Sequence, residues 1–466
     1  MKIMTIAIAG GSGFAGKALA LKLAEHGHNV RILARSVANG KITERLETRQ
    51  CDIFSLKQTE DALQGVDIGV YLIHSMAPNN RLTQGNFQDL DLLVADNFAR
   101  AARLQKLKRI VYLGGIVPEG NLSAHLKSRL EVEHALASYG TPTVTLRAAL
   151  VIGAGGSSYK ILARLVKRLP VMVCPAWTKS RSQPVSLDDA IDALIACCEK
   201  PITSLPVQAG GYMNLGCEPP VSYNQLMQAA ARVYGRNLRI VSVPLNSYGL
   251  SKLWVRLFSG AERSLVEPLV ESLKHDMLAM PNATAELIGR PAQNLATMLT
   301  QAARTAPVKL QLPRAQNLTE RSVRSVQRLT VPPGVDAHWL AERYGVWLEH
   351  YFRGVIKVIR KKRHLQFSSQ GIVLLTLEYS AERSDKTRAL YYISGGSLRR
   401  REAGESGRLE FRTLPNSNEA LAAIHDFEPA LPWFIYANSQ APLHEFVMHR
   451  FRDYLSRYRQ AARVTS

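Results

Sequence analysis

The residues near the N-terminus whose types and spacing point to chemistry are three glycines, Gly10, Gly13 and Gly16. Glycine at the first position lets the chain leave a strand in a conformation that side chains disfavour. The second lets the backbone approach a pyrophosphate, and the third lets a helix lie close to a sheet. The N–H groups near Phe14 and Ala15 then face an anion. The pattern predicts a nucleotide site, and the alternative is a tight turn that serves packing alone.

These glycines need a strand before them and a helix after them. Residues 3–9 form an apolar run without charge, which is typical of a strand buried on both faces. An amphipathic helix follows, with Gly27 placed to end it. Residues 30–34 form a second apolar strand, so residues 3–35 have the strand–loop–helix–strand order of a dinucleotide-binding fold.

The end of the second strand bears on which dinucleotide binds. NAD sites usually carry Asp or Glu there to bind the ribose 2′-hydroxyl, whereas this strand is followed by Arg35 and Ser36. A guanidinium pairs with a phosphate through two parallel hydrogen bonds, so these residues favour NADP over NAD. The alternative is that Arg35 is solvated and that the site accepts NAD as well.

Two further strand ends belong to the same predicted site. Asp52 and Ile53 follow a short strand, where the carboxylate can accept a hydrogen bond from the adenine amino group and Ile53 can pack on the ring. The alternative is that they cap a helix that begins near Ser55. Gly114 and Gly115 end a later strand, where the backbone can approach a nicotinamide ring.

The other strands and helices of this half alternate as they do in parallel sheets. Apolar strand candidates cover residues 48–51, 67–74, 109–113 and 143–150, and helical segments separate them. This alternation predicts an α/β fold, a Rossmann-type doubly wound parallel sheet with helices on both faces.

Residues 1–280 resemble the atypical, extended-like short-chain dehydrogenase/reductase superfamily, which includes NmrA-like redox sensors and nucleoside-diphosphate-sugar-epimerase-like proteins. The matching stretches are GGSGFAG at 10–16, Asp52-Ile53, YLIHSM at 71–76, VYLGG at 111–115 and Leu146-Arg147 before a second glycine-rich turn. The resemblance implies an NAD(P)-binding domain with a substrate lobe. It also implies that His74, Ser75 and Met76 line the cofactor.

The chain departs from that superfamily at its catalytic motif. Active members carry Tyr-x-x-x-Lys on the helix after the fifth strand and a Ser at the end of that strand. Here His125 and Arg129 stand at the four-residue spacing, and the Ser position is Gly114 or Gly115. Imidazole can donate a proton near neutrality, so His125 with Arg129 as a nearby cation is the catalytic candidate. The alternatives are a site that only holds nucleotide and a solvated His125.

The resemblance also places residues on the substrate side. It implies a substrate role for Arg147 and for Gly153, in the glycine-rich turn that follows. The next helix, residues 157–170, has a basic face that includes Lys160. Such a face can bind a phosphate or carboxylate of a substrate or an anionic lipid, and the alternative is a solvated face.

The second half of the chain has a different pattern. Residues 281–319 contain scattered prolines and a short helical segment, which indicates a linker. Residues 320–466 contain short strands joined by turns and end in an amphipathic helix, which predicts a smaller α+β domain. It looks like the domain of unknown function often attached to these proteins, and we expect a helix-grip fold.

One polar group in this second domain could do chemistry. His425, Asp426 and Glu428 lie close together in sequence and suit proton transfer or metal binding. A capped turn is the alternative, and no metal-ligand spacing recurs elsewhere, so we expect no metal.

Composition bounds the remaining classes of function. The chain has 466 residues, which predicts two domains, and no apolar run approaches the ~20 residues that span a bilayer. The N-terminus reads as a strand and not as a signal peptide, so we expect a cytoplasmic protein. Five cysteines without metal-ligand spacing indicate reduced, mostly buried thiols. The net charge of +21 is spread over both halves, which favours a solvated basic surface or anionic lipid and makes nucleic acid unlikely.

Three classes of function follow. The first is an NADP-dependent oxidoreductase or epimerase acting on a small carbonyl or nucleotide-sugar-like substrate. The second is a catalytically degenerate NADP(H)-binding sensor or assembly factor whose C-terminal domain contacts a protein partner or lipid. The third, nucleic-acid binding, depends on charge alone.

Overall fold

The computed structural model describes residues 2–74, 83–243, 272–315, 322–361, 363–400 and 407–464. It divides into two compact units. The first unit contains Met1–Ala77 and Val94–Leu318, and the second contains Pro78–Leu93 and Thr319–Ser466. Ser75 and Met76, predicted to line the cofactor, lie outside the described residues.

The elements up to residue 152 alternate between strands and helices. They are β1 (Thr5–Ala9), α1 (Phe14–Glu25), β2 (Asn29–Ala34), β3 (Gly40–Lys41), β4 (Leu46–Gln50), α2 (Leu56–Ala62), β5 (Ile68–Tyr71), β6 (Thr83–Gln84), α3 (Phe87–Leu104), β7 (Arg109–Gly115), α4 (Ala124–Ala137), β8 (Thr143–Ala148) and β9 (Val151–Ile152). β6 and the first turns of α3 belong to the second unit.

The rest of the first unit adds a lobe of helices and short strands. These are α5 (Ser157–Arg168), β10 (Val171–Pro175), β11 (Arg181–Ser182), β12 (Val185–Ser186), α6 (Leu187–Glu199), β13 (Tyr212–Leu215), β14 (Val221–Ser222), α7 (Tyr223–Val233), β15 (Arg239–Val243), α8 (Ala283–Ile288) and α9 (Leu295–Arg304). Short 3-10 helices cover Ala176–Lys179 and Ile202–Ser204.

The main sheet of the first unit has the strand order β13-β8-β7-β5-β1-β2-β4-β3. Its strands are parallel except for β3, which pairs antiparallel with β4. Because β1 lies between β2 and β5, the connections leave it in opposite directions, which opens a crevice at the carboxyl ends of the strands. Apolar residues such as Ile6, Ile8 and Val111 are fully buried in the core around this sheet. The predicted doubly wound α/β fold is confirmed.

Gly114 and Gly115 end their strand as predicted, because β7 keeps pairing with β8 as far as Gly115 and Ala148. The sequence pattern of residues 264–280 predicts a helix. In the described part, 272–280, only residue 272 is helical, and a turn and an extended segment follow, in which Met277 bridges Ser182. The backbone N–H of Gln183 donates to the Met277 carbonyl at 3.1 Å, which ties this segment to the lobe.

Of residues 281–319, predicted to be a linker, the described part, 281–315, lies within the first unit. They contain α8 and α9, whose apolar residues are buried in two of the unit's cores. An extended segment then runs beside the loop after β2, where the N–H of Ala38 donates to the Pro313 carbonyl at 2.9 Å. Prolines therefore mark the ends of short packed elements here.

Besides β6 and the start of α3, the described residues of the second unit form seven strands and three helices. They are β16 (Val323–Thr330), α10 (Ala337–Tyr351), β17 (Ile356–Lys361), β18 (His364–Ser369), β19 (Ile372–Tyr379), β20 (Arg388–Gly395), β21 (Arg408–Thr413), β22 (Glu419–Phe427), α11 (Trp433–Asn438) and α12 (Gln440–Val464), with a 3-10 helix at Ala381–Arg383.

The sheet of the second unit has the order β17-β18-β19-β20-β21-β22-β16-β6 and is antiparallel except for the pair β16–β6. Helices α10 and α12 pack on one face, where the Tyr344 ring lies 5.4 Å from Phe411 and 5.1 Å from Phe451. The predicted smaller α+β domain is confirmed, and the helix-grip fold stays a prediction. None of the helices described combines the length and apolar character needed to cross a bilayer.

Candidate functional site

The chain turns sharply as it leaves β1. Gly10 has a φ of +85°, a conformation that side chains rarely adopt. A Cβ atom there would lie 3.0 Å from the carbonyl carbon of Leu72 and 3.3 Å from the nitrogen of Ile73. Gly10 therefore both permits the turn and lets the loop lie against the backbone that follows β5.

Helix α1 begins directly after this turn. Gly13 is its N-cap residue, and no side chain accepts a hydrogen bond from the first turn. The N–H groups of Phe14 and Ala15 belong to the first turn of α1, where the helix itself supplies no acceptor. A Cβ on Gly16 would lie 2.4 Å from the Gly10 carbonyl oxygen, so only glycine lets α1 begin this close to the loop. The arrangement suits a pyrophosphate.

Replacement of Gly16 by alanine tests this arrangement. The new methyl group would overlap the Gly10 carbonyl, so the loop or the helix must move. We expect a loss of about 2 kcal/mol of stability and a roughly tenfold weaker cofactor affinity, because a hydrogen bond to a charged group contributes about 1.5–3 kcal/mol. Urea denaturation and calorimetric titration with NADPH measure the two effects.

Gly40→Ala is the matched control for Gly16→Ala. No atom lies within 4 Å of a Cβ placed on Gly40, and its φ is outside the left-handed region. This variant should keep both stability and affinity. Equal behaviour of the two variants would contradict the role assigned to Gly16.

The second glycine-rich turn packs against the start of α1. A Cβ on Gly153 would lie 2.7 Å from the Leu187 Cβ and 2.9 Å from the Phe14 ring. A Cβ on Gly156 would lie 3.1 Å from the same ring. Gly153 was predicted to contact substrate. The close packing of this turn against Phe14 is sufficient to require glycine at this position.

The end of β2 carries the residues predicted to select the cofactor. Arg35 is half-buried and Ser36 is exposed. The Ser36 carbonyl accepts from the Ala315 N–H at 3.1 Å, and Val37 forms an antiparallel bridge with Arg314. The backbone of Arg314 therefore lies beside the end of β2. Sequence analysis missed this residue because 279 positions separate it from Arg35.

Asp52 and Ile53 lie at the end of β4, on the predicted adenine side. The Asp52 carboxylate accepts from the Phe54 N–H at 3.2 Å, and Ser55 is the residue that caps α2. Ile53 is 5% exposed, and its carbonyl accepts from the Asn97 amide at 2.8 Å. These contacts support the alternative, in which the two residues lead into the cap of α2, because little of the Ile53 side chain is exposed to pack on an adenine ring.

Two histidines meet beside the carboxyl ends of β5 and β7. The rings of His74 and His125 lie 4.8 Å apart, and His125 is on the first turn of α4, which Ser123 caps. His125 is buried at the edge of the crevice. The alternative of a solvated His125 is therefore wrong, and its role as proton donor stays a prediction.

Arg129 does not extend into the crevice beside His125. It is 6% exposed, its Nε donates to the Tyr112 hydroxyl at 3.1 Å, and both terminal nitrogens lie 3.3 Å from the Ile73 carbonyl oxygen. The guanidinium thus fixes the backbone directly before His74. Arg129 positions the histidine pair, whereas the predicted role was that of a cation next to the substrate.

The two glycines at the end of β7 differ in their surroundings. A Cβ on Gly114 would lie 2.8 Å from the Tyr112 ring, so a side chain there would displace the tyrosine that holds Arg129. A Cβ on Gly115 would meet the nearest atom, Arg129 Cγ, at 3.5 Å, which is ordinary contact. Tyr112 was quoted only as part of a motif, and its role was not predicted.

Arg147, predicted to contact substrate, is held in a buried ion pair. Its Nε and a terminal nitrogen donate to the two Glu133 carboxylate oxygens at 2.9 and 2.7 Å. Its guanidinium also stacks 3.6 Å from the Tyr212 ring centroid. This bidentate pair joins α4 to β8, and the substrate role of Arg147 stays a prediction. Lys160 is exposed on α5, as the basic face requires.

The second unit contains a buried charged cluster on the sheet face opposite α10 and α12. Glu410 accepts from Arg388 at 2.7 Å and Arg412 at 2.9 Å, and its Oε1 lies 3.0 Å from His425 Nε2. Burial favours the protonated carboxyl, but both guanidinium groups outweigh it and hold the pKa of Glu410 well below its usual range. Burial lowers the pKa of His425.

The capped turn given above as the alternative for His425 and Asp426 is wrong. His425 and Asp426 lie inside β22, and Asp426 accepts from Arg408 at 2.6 Å. Among the residues that the structure describes, no group of three or more His, Cys, Asp or Glu side chains is placed to hold a metal ion. All five cysteines are buried as free thiols.

Comparison with known proteins covers the N-terminal part of the chain. Residues 6–215 match the NAD dependent epimerase/dehydratase family. The auxiliary protein GraX of Staphylococcus aureus is 33% identical over 144 residues, which are 30% of this chain and 42% of GraX, less than half of that protein. Ceramide reductase of Caulobacter vibrioides is 25% identical over 245 residues, 51% of this chain and 73% of that protein.

A solved structure shows the same fold. A nucleoside-diphosphate-sugar epimerase from Staphylococcus aureus superposes with a TM-score of 0.50 at 18% identity, over 64% of this chain and 100% of the epimerase. The family match confirms the predicted cofactor class, a nicotinamide dinucleotide, and the predicted epimerase/reductase-like resemblance. Residues 6–215, somewhat less than half of this chain, are therefore similar to the NAD dependent epimerase/dehydratase family.

Proposed function

We propose that the chain is an NADP(H)-dependent oxidoreductase that interconverts a carbonyl compound and its alcohol. The observation that carries the proposal is the glycine loop at the switch point, where Gly16 lets α1 begin against Gly10 and no side chain caps the first turn of the helix. The reductase among the relatives, which the chain covers over most of its length, supports reduction as the chemistry.

The preference for NADP(H) depends on the end of β2. Arg35 and Ser36 stand where an acidic residue would bind the ribose of NAD. A guanidinium at this place attracts a 2′-phosphate, whereas an Asp or Glu would repel it. The backbone of Arg314 reaches the same strand end through its bridge to Val37, so a second basic residue borders this position.

Arg35→Ala should separate the two cofactors. Loss of a hydrogen-bonded charge pair costs about 1.5–3 kcal/mol, so we expect NADPH affinity to fall about tenfold or more while NADH affinity changes little. Calorimetric titration of both cofactors measures this. Arg103→Ala, which removes an exposed arginine from α3, is the matched control. Equal losses for NADPH and NADH would contradict the assignment of Arg35.

The substrate side has a histidine pair in place of the usual tyrosine. Bound NADPH supplies a hydride to the carbonyl carbon, and the oxygen that gains charge needs a proton. His125 is the group that we place as the donor, and His74, 4.8 Å away, stacks beside it. Arg129 acts indirectly, because its bonds to the Ile73 carbonyl hold the backbone that carries His74.

The test of this function is turnover by the purified chain. NADPH oxidation is followed by absorbance with a panel of aldehydes, ketones and ceramides, and products are identified by mass spectrometry. A nucleotide-sugar-like substrate that changes configuration without net NADPH loss would instead support an epimerase. Reduction of a carbonyl compound at the expense of NADPH is the expected result.

A second candidate is a nucleotide-binding sensor or assembly factor. The observation that favours it is that Arg129, at the sequence position of the lysine of active reductases, bonds to Tyr112 and Ile73. Tight NADPH binding with no turnover of any substrate in the panel would support this candidate over the oxidoreductase.

A further inference from the structure

The lobe formed by α5, β10, α7 and β15 has an unusual balance of charge. Residues 157–187 and 219–243 contain nine Lys and Arg residues and no Asp or Glu. Arg181 is paired with Asp276 at 2.8 Å. The other basic residues of these stretches lie on helices and strands that share one apolar core.

Most of these basic side chains are on the surface. Lys160 and Lys167 are exposed on α5, and Arg232, Arg236 and Arg239 are exposed on α7 and the chain that follows it. The Lys167 ammonium lies 4.1 Å from the centroid of the Tyr234 ring, which places it above the chain that joins α7 to β15. The lobe therefore presents cations from several elements.

Apolar residues lie on the outer face of the same lobe. β10 and β15 form a two-stranded parallel ribbon in which Val173 pairs with Val241 and Val171 pairs with Arg239. The alternate residues Met172 and Cys174 are buried in the lobe's core. Val171, Val173 and Val241 instead are 45%, 50% and 43% exposed.

We propose that this outer face, the valine ribbon with Lys167, Arg236 and Arg239, binds the surface of a membrane that contains anionic lipid. At such a surface apolar side chains enter the boundary of the acyl chains while Lys and Arg pair with lipid phosphates. The charge of the lobe is complementary to that surface. Membrane binding by this face is independent of the oxidoreductase reaction proposed above.

Nucleic acid fits this face less well. Proteins that bind nucleic acids combine basic residues with side chains that read base edges or with aromatic rings on which bases stack. The ribbon offers valines, which do neither, and these would be a liability on a surface that faced only phosphates and water. An apolar strip beside cations is typical of a lipid interface.

The test is sedimentation of the full chain with lipid vesicles. Phosphatidylcholine vesicles with and without phosphatidylglycerol are compared at low and high salt. We expect binding to the anionic vesicles, little binding to the neutral ones, and weaker binding at high salt. A competing duplex DNA is added in a parallel series, and binding to DNA in the absence of vesicle binding would overturn the proposal in favour of nucleic acid.

Two sets of variants locate the surface. Neutralising Lys167, Arg236 and Arg239 to glutamine should weaken vesicle binding about a hundredfold, since each basic residue contributes about 1 kcal/mol. The double variant Val171→Ser/Val173→Ser keeps the charge and should weaken binding to the same anionic vesicles, which attraction by charge alone would not produce. Circular dichroism confirms that the variants are folded.

The matched control removes the same number of charges from the densest basic run of the chain. Lys357, Lys361 and Arg363 are exposed in the second unit, on β17 and directly after it. Their change to glutamine should leave vesicle binding nearly intact. Equal losses in the control and in the lobe variant, or equal binding to neutral and anionic vesicles, would overturn the proposal.

Discussion

His125→Gln is expected to lower NADPH-dependent carbonyl reduction by about 10²- to 10⁴-fold, the range that a positioned acid or base contributes. Glutamine approximates the size of imidazole but cannot supply a proton to the oxygen that gains charge. NADPH affinity should not change, because His125 lies on α4, beside the ring of His74, and not at the glycine loop. Steady-state kinetics with any substrate from the carbonyl panel measures the loss in kcat.

His134→Gln is the control for His125→Gln. His134 is on the same helix but exposed, and it should keep full turnover. The pH profile adds a readout that a structural role would not change: a proton donor must be protonated to act, so the fall of kcat on the alkaline side should disappear in the His125 variant. Unchanged turnover after loss of His125 would show that another group donates the proton.

Glu410→Gln is expected to destabilise the second unit by about 3–5 kcal/mol, the cost of removing one partner from a buried ion pair. Glu410 is 1% exposed and Arg412 is fully buried, so the two guanidinium groups would lose their shared carboxylate without gaining water. Hydrogen exchange of peptides from β20 to β22, read by mass spectrometry on the full chain, localises the loss.

Glu378→Gln is the control for this variant. The Glu378 side chain is half exposed, and its Oε2 lies 4.0 Å from His364 Nε2. It should change stability by less than about 1 kcal/mol. Similar exchange in the two variants would contradict the importance of the buried cluster.

The same cluster makes stability depend on pH. The pKa of Glu410 is depressed in the folded state, so its contribution is present above the unfolded value near 4.5 and lost as the pH falls below it. Burial keeps His425 neutral, so the unfolded chain gains a proton first as the pH falls through 6.5, and stability falls in that direction too. The difference between the wild type and Glu410→Gln should therefore narrow below about pH 4.5.

Local patterns in the sequence were sufficient for most of the first unit. Apolar runs bounded by glycines predicted β1, β2 and β8 to within a few residues, because strands buried on both faces leave a continuous apolar signal. The glycine spacing also indicated the loop at Gly10 and Gly16, where the backbone itself approaches another segment and no side chain can substitute.

Other features could not be read from local pattern. β17 is an edge strand whose charged residues face solvent. Its basic residues resembled a solvated surface, so the strand was not recognised. Arg129 and Arg147 were interpreted as site residues because their partners, the Ile73 carbonyl and Glu133, are distant in sequence. A buried arginine and an open one look the same until the partner is known, and the same holds for Glu410 and His425.

The central claim, that the loop at Gly10 to Gly16 binds the diphosphate of NADP(H), is tested most directly by calorimetric titration of the purified, ligand-free chain. The account predicts saturable heat with NADPH at a single site, a weaker isotherm with NADH, and competition between the two. The absence of binding heat with both NADPH and NADH, at concentrations well above the usual dissociation constants of NAD(P)-binding proteins, would contradict it.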